Sequence, residues 1–250
     1  MIEFLNWFDF STTDWLISLI CGLLIGMAKA GVAGTGIMIV PIMAVAFGGR
    51  VSTGIVLPML IIADIYAVIY YNRFANWKYI VKITPWAVIG IFIALAIGSS
   101  VSDEVFRRIL SVTVISAIVI MIWRDLRQNV SIPDHWWFAM LLGLAGGFAT
   151  MIGNAAGPVM AMYLLAMRIP KFTYIGTGAW FFFLVNLFKV PLHVVFWKTI
   201  TLKTVSFNLM MAPAIIFGVF LGIQIVKIIP EKLYRVLVIG TTIVSAFLLL

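Results

Sequence analysis

The chain has 250 residues, of which 64% are hydrophobic and only 10% are charged, and its mean hydropathy is +1.16. A soluble domain carries about 25% charged residues to keep its surface hydrated, so this composition excludes an ordinary soluble domain. The formal net charge is +8. The basic residues stand singly or in pairs between apolar runs and form no basic stripe, which argues against binding of nucleic acid.

Apolar segments recur from one end of the chain to the other, and most approach the roughly 17–25 residues that a helix needs to cross a bilayer core. In chain order they are 14–28, 32–47, 54–71, 80–98, 105–123, 136–151, 155–167, 173–197, 205–226 and 233–250. The alternating pattern of barrel strands does not occur. The longest polar stretch, 124–135, is a linker and is too short to be a domain. We predict an all-α, polytopic transmembrane bundle whose chemistry takes place within the membrane.

The N-terminal region and the single cysteine exclude several further classes. The first basic residue is Lys29, whereas a cleaved signal peptide begins with a positively charged region, so we expect the N-terminus to be retained. Cys21 is alone and lies inside an apolar segment. We therefore predict no disulfide framework, no metal site and no cofactor.

Glycine-rich stretches join two pairs of segments, one between Gly26 and Gly36 and the other between Gly146 and Pro158. Each pair is either two full spans with a tight turn or a re-entrant pair of half-helices that meet at mid-depth. A helix broken at mid-depth leaves unpaired backbone N–H groups and the positive end of a dipole, which together attract an anion. Glycine allows the backbone to turn there and a ligand to approach closely.

The two halves of the chain resemble each other. A shift of 121 residues places glycines of the first break on glycines of the second, namely Gly22 on Gly143, Gly26 on Gly147 and Gly36 on Gly157. A shift of 128 residues does the same later in each half, for Pro85 on Pro213 and Gly90 on Gly218. We predict an internal duplication, with repeats at 1–125 and 126–250 that form one integral membrane domain.

The distribution of positive charge predicts the orientation. Each half has five segments, an odd number, so the second half enters the membrane from the opposite side and the repeats are inverted. With the N-terminus outside, ten basic residues fall in cytoplasmic gaps: Arg73, Lys78, Lys82, Arg124, Arg127, Arg168, Lys171, Lys227, Lys232 and Arg235. Five fall in external gaps: Arg50, Arg107, Arg108, Lys198 and Lys203. This excess predicts a multi-pass protein with both termini outside.

The polar residues of the two breaks are candidates for substrate binding. Lys29, between Gly26 and the glycines Gly31 and Gly34, either anchors an anionic substrate or is a cytoplasm-facing lysine in a tight turn. In the second break, Thr150 and Asn154 can donate hydrogen bonds to a substrate oxygen, with Gly153 between them. The alternative is packing of small and polar residues between helices, which is common in membrane bundles.

A further set of polar residues falls inside apolar segments. Asp64 lies near the middle of one, where a carboxylate must find a partner or water. Asn186, Lys189 and His193 are three and four residues apart and therefore share one helical face. One interpretation is that this face helps to bind the anion while Asp64 couples transport to a proton or cation. The alternative is a structural Asp64–Lys189 pair, with His193 near the membrane interface.

The duplicated layout and the break Gly26-x-x-Lys29-x-Gly31-x-x-Gly34 resemble the sulfite exporter TauE/SafE family, also called the toluene sulfonate uptake permease family. The resemblance covers nearly the whole chain. It implies a carrier in the bacterial inner membrane for sulfur-containing anions such as sulfite, sulfonates or sulfoacetate, in either direction, by alternating access. The second break has Asn154 and no lysine, which predicts an asymmetric site.

A membrane-embedded enzyme and an anion channel are the alternative functions. A membrane-embedded enzyme is disfavoured because the chain has no His-Glu-x-x-His and no Gly-x-Ser-x-Gly motif. An anion channel is disfavoured because channels usually build a pore by oligomer symmetry or rings of charge. The expected partners are a small anionic substrate, membrane lipid and a coupled proton or cation. The sequence is compatible with a monomer and with a homodimer.

Overall fold

The structure is a computed structural model of the chain and describes residues 11–36, 39–97 and 136–248. Within these ranges it contains nine α-helices and no strand, which confirms the prediction of an all-α fold. The helices are α1 Thr12–Lys29, α2 Ile39–Phe47, α3 Gly49–Tyr71, α4 Trp77–Ile97, α5 Trp136–Gly153, α6 Gly157–Ala166, α7 Lys171–Val195, α8 Leu202–Ile228 and α9 Glu231–Leu248. The predicted segment 105–123 and the linker 124–135 lie outside the described residues.

Six of the described helices are long and apolar enough to cross a membrane, namely α1, α3, α4, α5, α7 and α8. Large apolar side chains point outward from the bundle, and the most exposed are Val45 (89%), Leu202 (84%) and Ile228 (81%). Such a surface is stable only against hydrocarbon. The protein is therefore a multi-pass membrane protein, as its composition predicted.

The helices that follow the two breaks are short. Within the expected segment 32–47, residues 32–36 are not helical and α2 runs from Ile39 to Phe47; Gly31 and Gly34 adopt left-handed backbone angles with φ of 100° and 88°. Helix α6 begins at Gly157, after Asn154 has turned the chain with a φ of 54°. At about 1.5 Å per residue, α2 and α6 are about 14 and 15 Å long, half of a bilayer core of about 30 Å.

The two most extensive helix contacts among the described residues are those of α1 with α8 and of α5 with α4. Both depend on a glycine. A Cβ atom added at Gly26 of α1 would lie 2.7 Å from the backbone nitrogen of Val219 in α8. A Cβ added at Gly147 of α5 would lie 2.7 Å from the carbonyl carbon of Ala87 in α4. Only glycine permits this approach of two backbones, so the two breaks are each preceded by a close helix crossing.

Apolar side chains form two main cores, and α3 and α7 lie between them. The first core involves α1, α3 and α8, with Ile25, Met59 and Ile215 fully buried. The second surrounds α6, whose residues from Val159 to Ala166 are all buried. Polar side chains of α3 and α7 face the interior between these cores, where the candidate site lies.

Candidate functional site

Three charged side chains lie close together between the two cores: Lys29 at the end of α1, Asp64 on α3 and Lys189 on α7. The side chains of Asp64 and Lys189 are fully buried, and that of Lys29 is 11% exposed. A buried charge is costly unless it is paired and hydrogen-bonded. The partners of each group therefore determine what the site can bind.

Lys29 and Asp64 form an ion pair, with the ammonium nitrogen 2.8 Å from Oδ1. The second carboxylate oxygen, Oδ2, accepts a hydrogen bond of 2.7 Å from the amide of Asn186 on α7. The ammonium group also lies 4.2 Å from the centre of the Phe182 ring, within the range of a cation–π contact. The structure thus pairs Asp64 with Lys29, whereas sequence reasoning had considered Lys189 as its partner.

Lys189 is held by neutral groups. Its ammonium nitrogen donates to the carbonyl oxygen of Thr150 at 3.0 Å, to the hydroxyl oxygen of Thr150 at 2.9 Å and to Oδ1 of Asn154 at 2.7 Å. These bonds close the C-terminal end of α5, where the carbonyls of the last turn have no partner within the helix. All three donors of the ammonium are used, yet no carboxylate contacts it among the described residues.

Asn154 connects the second break to two helices. Its left-handed backbone suits asparagine, whose short polar side chain tolerates this conformation better than most. Its side chain accepts a bond from Lys189 on α7 and donates one of 3.2 Å to the carbonyl oxygen of Thr53 on α3. Gly153, the last residue of α5, is buried beside it. The break is therefore held in place by side chains and not only by its backbone.

His193 lies one turn beyond Lys189 and is fully buried. Its Nδ1 is 2.9 Å from the hydroxyl of Thr199, and its ring contacts that of Trp197 at a centroid distance of 5.0 Å. Its Nε2 has no hydrogen-bond partner among the described residues, and the same is true of Oδ1 of Asn186. Two buried polar atoms without partners thus lie on the same face of α7, on either side of Lys189.

The structure gathers the predicted residues into two linked groups. The first is Lys29, Asp64 and Asn186, and the second is Thr150, Asn154 and Lys189; Asn186 and Lys189 join them because they are one turn apart on α7. Gly31 and Gly34 lie outside both groups. A Cβ at Gly31 would meet the side chain of Ile175 at 2.6 Å, and one at Gly34 would meet that of Thr241, so these glycines shape the loop.

Sequence reasoning missed Phe182, Thr53 and Thr199. Phe182 precedes Asn186 by four residues, so helical spacing alone would have placed it on the same face. Thr53 contributes only a backbone carbonyl, which no sequence pattern reveals. Thr199 follows the end of α7 and lies close to Gly54 of α3, where an added Cβ would be 2.7 Å from its carbonyl carbon.

A family model described as Sulfite exporter TauE/SafE matches residues 18–249 of the chain. The chain belongs to this family. Neither the search of curated proteins nor that of solved structures gave a significant match. Membership of the TauE/SafE family makes the chain a membrane permease or exporter, and it confirms the resemblance seen in the sequence.

In this TauE/SafE protein the family match begins within α1 and extends past the end of α9, so both breaks fall inside it. The two breaks differ in the charge of the side chains that they bring together. The first brings a cation, Lys29, to a carboxylate of α3, and the second brings neutral oxygens to a cation of α7. The interior is asymmetric in charge, as the difference between the two breaks predicted.

Proposed function

We propose that the chain carries a small sulfur-containing anion, of the sulfite, sulfonate or sulfoacetate type, across the membrane by alternating access. The observation that carries this proposal is the charge balance of the interior. Lys29 and Asp64 compensate each other, while Lys189 is surrounded by neutral oxygens. The family contributes the class of substrate, because its description names sulfite.

A bound anion would complete the interactions of the Lys189 face. A buried ammonium without a counter-charge is unfavourable, and an anion beside it supplies that charge. The two unpartnered atoms on this face complement a hydrated or protonated oxyanion. Nε2 of His193 can donate a hydrogen bond to an anion oxygen, and Oδ1 of Asn186 can accept one from a bound water or a protonated anion. We assign substrate binding to Lys189, Asn186, His193, Thr150 and Asn154.

The second break also offers room and donors. Gly157, the first residue of α6, is exposed, and a Cβ added there would meet nothing within 4 Å. Helix geometry leaves the N–H groups of Gly157 and Val159 without an intrahelical acceptor, and Pro158 between them has none. A helix N-terminus of this kind favours an anion. Open space, free donors and Lys189 therefore adjoin the same break.

We propose that the repeats 1–125 and 126–250 are inverted and that α2 and α6 are re-entrant half-helices. Three observations support this arrangement. The crossings at Gly26 and Gly147 correspond under the shift of 121 residues, both short helices follow these crossings, and both have about half the length of a span. Rocking of one repeat against the other would then expose a midplane site alternately to the two sides.

The predicted external and cytoplasmic gaps lie at opposite ends of the bundle. Gly54 is packed on Thr199 at one end, while the ring of Tyr71 stacks on that of Phe172 at 6.3 Å at the other. The gaps near residues 50 and 198 are thus together, as are those near residues 73 and 171. We propose that the latter end is cytoplasmic, in the inner membrane of a bacterium, with both termini outside.

Asp64 is the candidate for the coupling group, because it is the one buried carboxyl group among residues 11–36, 39–97 and 136–248. Protonation of Asp64 would release Lys29 from its ion pair and leave a second cation for the substrate. Lys29, with Gly31 and Gly34 shaping its loop, would then take part in only one stage of transport.

The first test is substrate-induced stabilisation of the purified protein. Its midpoint of thermal unfolding is measured with sulfite, sulfoacetate, taurine, sulfate, carboxylates and inorganic cations. A ligand that binds the folded state raises this midpoint, and the rise grows with the logarithm of its concentration above the dissociation constant. We expect sulfite or a sulfonate to raise it, and Lys189→Gln, which keeps a donor but removes the charge, to abolish the rise.

The control is Lys198→Gln, which removes an equal charge from an exposed position. It should keep the full anion response. Circular dichroism and size-exclusion chromatography establish that both variants are folded. A response to cations alone, or an anion response that folded Lys189→Gln retains, would contradict the proposed site.

A further inference from the structure

A pocket of about 460 Å³ lies between the end of α6 and the starts of α7 and α9. It is separate from the candidate substrate site, since Lys171 at its wall precedes Lys189 by 18 residues, or about 27 Å along α7. Its charged lining consists of one acid, Glu231, and four basic residues, Arg168, Lys171, Lys232 and Arg235. The transport proposal uses none of these side chains.

The inner wall of this pocket is fixed by Lys171. This residue is only 6% exposed, and its ammonium nitrogen donates to the carbonyl oxygens of Val226 at 2.9 Å and Ile229 at 2.6 Å. Its backbone N–H donates to the carboxylate of Glu231 at 2.7 Å. The one acid is thus already engaged, and it holds the starts of α7 and α9 together. The pocket is preformed, with positive charge in excess.

Three further features make the pocket suitable for a phosphate group. Lys232 is exposed and Arg235 is half-buried, so both can turn toward a ligand in the pocket. The N-terminal ends of α7 and α9, at Lys171 and Glu231, lie at its wall and add the positive ends of two helix dipoles. Arginine binds phosphate oxygens through paired donors, which gives a strong and oriented contact.

The surroundings of the pocket indicate a lipid phosphate. Beside it, α9 presents exposed apolar side chains, including Leu233 at 49% and Val236 at 64%, and Ile228 at the end of α8 is 81% exposed. These side chains face hydrocarbon in a membrane. We propose that the pocket binds the phosphate of an anionic phospholipid whose acyl chains lie along this face of α9. Basic pockets between membrane helices are suited to such headgroups.

The test compares three additions to the purified protein in detergent: phosphatidylglycerol, phosphatidylcholine with the same acyl chains, and inorganic phosphate. We expect phosphatidylglycerol at tenfold excess over its dissociation constant to raise the midpoint of thermal unfolding by roughly 3 °C. The double variant Lys232→Gln/Arg235→Gln should lose most of this rise. The charge-preserving variant Lys232→Arg/Arg235→Lys should keep most of it, as should the control Lys198→Gln.

Equal stabilisation by phosphatidylcholine, or a full response of the double variant to phosphatidylglycerol, would overturn the proposal. A full response to inorganic phosphate alone would also overturn it, since it would define a site for a small anion and not for lipid. Lys189→Gln separates this site from the transport site, because that variant should keep the response to phosphatidylglycerol.

Discussion

Lys189 on α7 donates a 2.7 Å hydrogen bond to the side-chain oxygen of Asn154, the residue whose left-handed backbone separates α5 from α6. The bond joins a buried cation to the break that leads into a half-length helix. Any movement of α7 relative to α5 must stretch or exchange this bond. The same contact therefore holds the positive charge of the site in place and fixes the position of the break.

Asn154→Asp should keep the fold and weaken anion binding. The substitution is nearly isosteric and places a carboxylate 2.7 Å from the ammonium of Lys189, so the cation gains an internal counter-charge. We expect the affinity for the transported anion to fall by about tenfold or more, which corresponds to about 1.4 kcal/mol. Ligand-dependent thermal shifts measure this affinity.

Asn154→Gly and Asn154→Ala are the matched controls for that experiment. Glycine accepts the left-handed backbone and loses only the side-chain bonds to Lys189 and Thr53, at a cost of about 1–3 kcal/mol. Alanine should cost about 1 kcal/mol more, because its Cβ disfavours that backbone. An unchanged anion affinity in Asn154→Asp would argue that Lys189 does not meet the substrate.

Breaking the Lys29–Asp64 pair from one side should be worse than removing both charges. Lys29→Met leaves a buried carboxylate without its cation and should lower the free energy of unfolding by about 3–5 kcal/mol. The double variant Lys29→Met/Asp64→Asn should recover much of that loss, since the amide of Asn186 still has an oxygen to bind. Denaturant unfolding of the four proteins in a double-mutant cycle measures the coupling. Additive effects would mean that the pair contributes nothing.

Gly147→Ala should weaken the crossing of α5 and α4. Its new Cβ would lie 2.7 Å from the carbonyl carbon of Ala87, and forced overpacking costs about 1–3 kcal/mol. Gly240→Ala is the control, because it lies within α9 and its Cβ would meet nothing within 4 Å. Thermal unfolding should show a loss for the first variant and no loss for the second. If the two variants had equal midpoints of thermal unfolding, the backbones of α5 and α4 would not approach as closely as described.

Cysteine labelling tests the orientation. In a Cys21→Ser background, Lys198→Cys should react with a membrane-impermeant maleimide in intact cells, because it lies in a predicted external gap. Lys232→Cys, at the opposite end, should react only after the membrane is permeabilised. Both positions are exposed, so access to the reagent depends on the side of the membrane. The reverse pattern would place both termini inside.

Sequence reasoning predicted the helices well where hydropathy alone decides their length. The expected segment 80–98 became α4 at Trp77–Ile97, and 205–226 became α8 at Leu202–Ile228. It failed at 32–36, where apolar composition suggested a span but Gly31 and Gly34 hold the loop in left-handed conformations. Backbone angles at glycine depend on packing, and composition does not reveal them.

The structure brings most of the candidate polar residues together, but the sequence did not predict which of them form pairs. Asp64 required a partner because it lies in an apolar segment, and the partner considered from the sequence was Lys189. In the structure Asp64 pairs with Lys29, because the end of α1 lies beside α3. The side chain of Lys189 extends instead to the end of α5. Partner choice depends on how far side chains reach between helices, and sequence spacing contains no such information.

The crossings at Gly26 and Gly147 have a consequence for biosynthesis. Helix α5 finds its main partner, α4, already inserted when it leaves the ribosome, but α1 must wait for α8 near the other end of the chain. During that interval the glycine face of α1 lacks its final neighbour, although Lys29 at the end of α1 can already pair with Asp64 of α3. The first of the described helices is thus among the last to be completely packed, and the insertion machinery or surrounding lipid must cover its glycine face until then.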